Sequence, residues 1–187
     1  MSRPIVVFDI DKTLVRCDFH TLILRSWERG GGHRVVLHRI FTAAVRMVPS
    51  SFLRRKLEYF LIEFVDEEFI HSEAKRIMRD ERLVNLPLLR RISRYQRCNV
   101  DVVLVTAAPE KSSSALSQLL NVELVCSRTR CGVLTRDLLG KKAEQYAKLE
   151  TERGSVRTVY SDSRLDLCRG ARKNILVRES QLTVVRK

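Results

Sequence analysis

The sequence predicts the α/β class: a mostly parallel sheet flanked by helices, with an all-helical block inserted after the first strand. Three observations carry that expectation. Short apolar, β-branched runs of buried-strand type recur at 5–10, 101–106, 157–161 and 174–178. Helical stretches separate the later runs, as connections between parallel strands require. Between the first run and the second, residues 16–95 read only with helical period.

Each element has a local reason. "IVVFDI" (5–10) is apolar on both faces of a strand. Residues 19–29 form a helix stopped by Gly30-Gly31-Gly32. Residues 34–48 follow until Pro49, with Leu37, Ile40, Phe41, Ala44, Val45 and Val48 expected on one buried stripe. Ser50 or Ser51 caps a third helix whose inward stripe is Leu53, Leu57, Phe60, Leu61 and Phe64. Helices over 67–80 and 86–96 complete the inserted block, and Trp27 is expected to bury among them. Beyond "DVVLVT" (101–106), short strands are expected at 122–126 and 132–135 and helices at 110–120, 141–152 and 164–171. The division that follows is a core of 1–15 plus 97–187 and a helical cap of 16–96.

At 187 residues, 44% hydrophobic and 30% charged, the chain is long enough for one compact domain with its own core. No apolar run reaches the roughly 20 residues that span a bilayer, and no leader pattern is visible, so a cytoplasmic location is expected. The 35 basic against 22 acidic residues give +13, which favours anionic partners: phosphorylated metabolites or lipid headgroups. Nucleic acid is not expected, because no basic–aromatic binding motif accompanies the charge. Residues 16–56 hold nine basic and two acidic residues, so the first half of the cap is expected to rest on an anionic membrane or to carry a solvated basic face. Cys17, Cys98, Cys126, Cys131 and Cys168 show no paired spacing and read as reduced, mostly buried thiols.

In an open parallel sheet, ligands bind beyond the carboxyl ends of the strands. The first strand ends in Asp9-Ile10-Asp11-Lys12-Thr13, the second in Thr106-Ala107-Ala108-Pro109, and "VY" (159–160) runs into Ser161-Asp162-Ser163-Arg164-Leu165-Asp166. Gly140-Lys141-Lys142 opens a helix before that last strand. Acidic groups, a hydroxyl and a lysine on one edge suit phosphoryl transfer. A phosphate ester is an anion that repels a bare carboxylate; a hard divalent cation on oxygen ligands removes the repulsion. One carboxylate can then attack phosphorus while a second shuttles protons.

These segments resemble the motifs of the haloacid-dehalogenase superfamily. "FDIDKTLV" is similar to its Asp-x-Asp-x-Thr motif, "VLVTAAP" to its strand ending in Thr or Ser, "GKKAEQ" to its lysine motif, and "VYSDSRLD" to its acidic loop. The resemblance implies a Rossmann-like fold and a magnesium-dependent phosphomonoesterase working through an aspartyl-phosphate. It implies Asp9 as nucleophile and Mg²⁺ ligand, and Asp11 as acid/base with its carbonyl on the metal. Thr106 and Ala107 would bind phosphate with Lys142, and Asp162 and Asp166 would hold the metal. Lys141 competes with Lys142, which is preferred because Ala143 follows it as in the family pattern. The helical insert is similar to that of phosphoserine-phosphatase-like members, and "YSDSRLD" with "FIHSEA" to a branch including phosphatidylglycerophosphatase C. That branch shares Ser161, where the family often has Gly. A phosphotransferase, or an idle fold that only binds, remains a competing reading. Asp18, Arg25 and Arg29 are candidate specificity residues.

Overall fold

Seven strands form one sheet in the order β4-β3-β2-β1-β5-β6-β7. The computed structural model describes residues 3–130, 133–178 and 181–185. In chain order the strands are β1 (Ile5–Phe8), β2 (Asp101–Pro109), β3 (Glu123–Arg130), β4 (Val133–Arg136), β5 (Val156–Ser161), β6 (Lys173–Arg178) and β7 (Gln181–Val185). The helices are α1 (Phe19–Arg29), α2 (His33–Met47), α3 (Ser51–Ile62), α4 (Glu67–Arg79), α5 (Leu86–Arg97), α6 (Glu110–Leu120) and α7 (Lys142–Arg153). β1 lies between β2 and β5 and is parallel to both; only β4 and β7, at the two edges, run antiparallel to their neighbours.

The central position of β1 follows from its composition. All four of its residues are fully buried, each contributing roughly 1.5–3 kcal/mol of apolar burial. Alternate residues serve opposite faces. Val6 and Phe8 join the larger core, which includes residues of α1, α4, α5 and α6; Ile5 and Val7 pack with Tyr146 and Leu149 of α7. The larger core takes in residues of the inserted helices and of the sheet together, among them Trp27, Ile70 and Leu104.

Several expectations require correction. The first strand ends at Phe8, because the Ile10 carbonyl accepts the N–H groups of Thr13, Leu14 and Val15 and turns the chain, with Lys12 at φ 55°. β2 runs on to Pro109 by pairing with Ser127 of β3. The expected helix at 164–171 is only a single 3₁₀ turn, Arg164–Asp166. β7 carries no sequence period that announces it; it forms by pairing with β6. On α2, Ile40 is 60% exposed rather than buried. Leu53 and Phe64 of the next stripe are also exposed; α3 ends at Ile62, and Phe64 lies in the turn that follows. The Leu37 side chain lies outside the described residues. Cys98 is exposed and Cys17 half-buried, whereas Cys126 and Cys168 are buried; Cys131 lies outside the described residues.

Candidate active site

Four of the sequence-selected residues meet at the carboxyl ends of β1 and β5. Asp9 directly follows β1, where its N–H is fixed by the Tyr160 carbonyl at 2.9 Å. Asp162 follows β5, and Asp166 lies in the 3₁₀ turn after it. A carboxylate oxygen from each of these three lies within 4.8 Å of the others. Lys142, the first residue of α7, is buried and extends its ammonium between two of them, 2.7 Å from Asp9 Oδ2 and 2.9 Å from Asp166 Oδ2. Lys141 is exposed and stands one residue before the helix.

The electrostatics follow from burial. Asp9 is 4% exposed, and desolvation raises its carboxyl to about 7 against the pull of Lys142. Burial alone would lower the Lys142 pKa, yet Asp9 and Asp166 outweigh it and hold the ammonium above its usual range. Asp162 is also raised, mainly by burial. One ammonium among three carboxylates leaves a net deficit of positive charge.

An all-oxygen donor set of three clustered carboxylates with uncompensated charge fits a hard divalent cation. The expected Mg²⁺ ligands Asp9, Asp162 and Asp166 are together. The Asp11 side chain is not among them: its Oδ1 accepts the Phe19 N–H at 2.7 Å and so holds the start of α1. Burial, partly offset by that hydrogen bond, raises the Asp11 carboxyl to about 6.

Thr106 is fully buried near the end of β2, with its Oγ1 accepting the Ala108 N–H at 3.1 Å, which leaves the hydroxyl proton free to donate. The Ala107 carbonyl is the meeting point of three donors: Arg55 at 3.0 Å, Ser127 Oγ at 2.9 Å and the Tyr59 hydroxyl. Arg55 also pairs with Asp137 at 3.0 Å. This network ties α3 to the second motif strand and was missed from sequence, since Arg55, Tyr59, Ser127 and Asp137 lie far apart along the chain. The Ser50 cap, whose Oγ accepts the Leu53 N–H, fixes where α3 begins and so which residues reach β2; it was the available signal.

Two further supports were also missed. Ser161 is fully buried, donates to Asp9 Oδ2 at 3.5 Å and accepts the Ser163 N–H at 3.2 Å. Asn174 accepts the Cys168 N–H at 3.0 Å and donates to the Cys168 carbonyl at 2.8 Å, bracing the chain that follows Asp166. Of the candidate specificity residues, Asp18 pairs with Lys12 at 3.6 Å beside the first motif. Arg25 lines a cavity of about 210 Å³ with His20 and Glu58, and Arg29 closes the last turn of α1. A larger cavity of about 650 Å³ adjoins Asp162 and is lined by Lys12, Arg16 and Arg178, a basic approach to the acidic cluster.

The same arrangement of strands and helices recurs in solved structures. A phospho-aspartyl intermediate analogue of phosphoserine phosphatase superposes with a TM-score of 0.58 at 16% identity, covering 95% of this chain and 87% of its own. A substrate-bound phosphoserine phosphatase gives 0.54 at 15% identity over 89% and 80%. A phosphoserine phosphohydrolase-like protein from Francisella tularensis subsp. tularensis SCHU S4 gives 0.61 at 13% identity over 95% and 88%. At these identities the likeness concerns the fold. No curated protein sequence matches the chain. The model of the haloacid dehalogenase-like hydrolases does match, over residues 6–169, a span that takes in Asp9, Lys142 and Asp166 alike; the chain belongs to that family.

Proposed function

We propose that this protein is a phosphomonoester hydrolase in which Asp9 is transiently phosphorylated. The observation that carries the reading is the meeting of Asp9, Asp162, Asp166 and Lys142 at one edge of the sheet. Asp9, Asp162 and Asp166, with the Asp11 carbonyl, are the proposed ligands of a Mg²⁺ ion, which when bound neutralises phosphate charge. An Asp9 oxygen attacks phosphorus and the ester P–O bond breaks. Asp11, kept partly protonated near neutral pH by burial, gives its proton to the departing alkoxide. Water then attacks the acyl-phosphate, Asp11 takes back a proton, and inorganic phosphate leaves with Asp9 restored. Thr106 Oγ1, the Ala107 N–H and the Lys142 ammonium are the proposed donors to the phosphate oxygens.

The phosphoserine phosphatase structures among those similar support a place with the phosphoserine-phosphatase-like members. On that reading residues 16–96 act as a cap over a core of 1–15 plus 97–187, and the substrate is a small phosphate ester. One observation favours a lipid phosphate, as in the branch that includes phosphatidylglycerophosphatase C. Val36, Ile40 and Met47 form an exposed apolar row at helical spacing on α2, and residues 29–57 contain seven basic residues and no acidic one. No helix among the described residues is long and apolar enough to cross a membrane, and the proposed contact is a peripheral one.

The test is Asp9→Asn assayed on an aryl phosphate with Mg²⁺, alongside trapping of a hydroxylamine-sensitive phosphoenzyme. A loss of about a thousandfold or more in kcat, with no trapped phosphoenzyme, is expected. Turnover at the wild-type rate would end the reading. Passage of the trapped phosphoryl group to an added alcohol in preference to water would make the protein a phosphotransferase. Failure of the wild-type protein on a broad phosphate-ester panel would favour an idle, binding-only fold.

A further inference from the structure

A second concentration of charge lies away from the acidic cluster. A groove of about 660 Å³ runs between α5 and the starts of β5 and β6. Its walls carry Arg90, Arg91 and Arg94 from α5, Arg157 from the second position of β5 and Lys173 from the first position of β6. All five side chains are exposed, none forms an ion pair with a described residue, and no described acidic residue lines the groove. The floor includes Ile175 and Tyr160, both buried. Arg157 and Lys173 open their strands, whereas Asp162 follows the end of β5, so the two sites sit toward opposite ends of the sheet.

We propose that this groove is a binding site for a small polyphosphorylated anion, separate from the acidic cluster. Three arguments point to that ligand. Five like charges facing one concavity repel each other, and an anion carrying several charges is what relieves the repulsion. Four of the five are arginines, whose planar fork matches phosphate oxygens in pairs. The volume lies in the range of sites for small molecules, which favours a compact oligophosphate over a strand of nucleic acid. The oligophosphate chain is the recognised element, whether inorganic or carried by a nucleoside.

The groove also touches the framework of the acidic cluster. Arg91 donates to the Tyr160 hydroxyl at 3.3 Å, and the Tyr160 ring stacks on Phe8 with centroids 4.4 Å apart. Phe8 precedes Asp9, and the Tyr160 carbonyl accepts the Asp9 N–H. An anion that engages Arg91 is therefore linked to Asp9 through Arg91 and Tyr160.

The experiment is calorimetric titration of the full chain with sodium tripolyphosphate, and separately with ATP, in low salt with a chelator so that no divalent cation takes part. Comparable binding of both assigns recognition to the phosphate chain; ATP alone binding assigns it to the nucleoside and overturns the proposal. The double variant Arg94→Glu/Arg157→Glu removes like-charge repulsion and should fold. It should bind tripolyphosphate about tenfold more weakly or worse. Arg79→Glu, an exposed control elsewhere, and Lys142→Gln, in the acidic cluster, should leave affinity unchanged. The proposal fails if wild-type protein shows no binding, or if Arg79→Glu weakens it as much as the double variant, which would mean diffuse attraction. It fails too if Lys142→Gln, shown by circular dichroism to be folded under the same conditions, abolishes binding. Tight capture of a single-stranded oligonucleotide that tripolyphosphate cannot displace would assign the groove to nucleic acid instead.

Discussion

The acidic cluster and the α5 groove each gather charge of one sign, and they handle it in opposite ways. Asp9 is drawn out of water and Asp162 and Asp166 partly so, and a buried lysine stands between Asp9 and Asp166. The five cations of the groove stay solvated and have no ion-pair partner among the described residues. Burial decides the difference. In the interior an unpaired charge is costly, whereas at the surface solvent and salt screen it.

The sharpest way to break that contrast is to remove the buried counter-charge. Lys142→Ala should destabilise the cation-free protein by about 3 kcal/mol, because two carboxylates lose their partner inside the fold. Urea denaturation measures it. The same assay on Arg94→Glu should show no loss and a small gain in low salt. Equal losses for both would mean that burial is not what separates the two sites.

A second test uses pH. The folded-state pKa values of Asp9, about 7, and Asp11, about 6, are raised above the ordinary value of 3.8. A raised carboxyl favours folding while it is protonated; that contribution is complete below the unfolded value and is lost as pH rises through the folded one. In chelator, thermal stability should therefore fall from about pH 4 to about pH 7, and added Mg²⁺ should flatten the decline. Stability that rises over this interval would contradict the assignment of burial as the cause. Charge changes in the groove should leave the slope unaltered.

Apolar residues test the same rule, and the smallest expected effect is among them. Ile62→Ala, at a fully buried position of α3, should cost about 2–5 kcal/mol, and Ile40→Ser on α2 within about 0.5 kcal/mol. Thermal melts resolve the two. If a vesicle of anionic lipid binds the wild-type protein and releases Ile40→Ser, the exposed row on α2 has its occupant.

What the sequence made legible was whatever chain-local chemistry determines. Strands β1 and β2 announced themselves because parallel strands buried on both faces read as near-continuous apolar runs, and β5 and β6 by shorter runs of β-branched and apolar residues. Asp9, Asp11, Asp162 and Asp166 stood out because carboxylates at strand ends need a reason. Illegible were features set by distant partners. β7 exists only through its ladder with β6, and the Ala107 latch joins residues from α3, β3 and the loop after β4. On the α2 stripe Ile40 was misassigned, because periodicity locates an apolar face without saying whether anything covers each position, whereas Phe41 packs against the core.

The Ala107 latch has a consequence for how the molecule comes apart. α3 is pinned to β2 through Arg55 and Tyr59, whereas no described side chain of α2 is fully buried and the helix is bounded by Gly30–Gly32 on one side and Pro49 on the other. Breathing under native conditions should therefore begin at α2. A protease given a brief exposure would cut in those two connections first, trimming away one basic helix while the strand ends and their carboxylates stayed assembled.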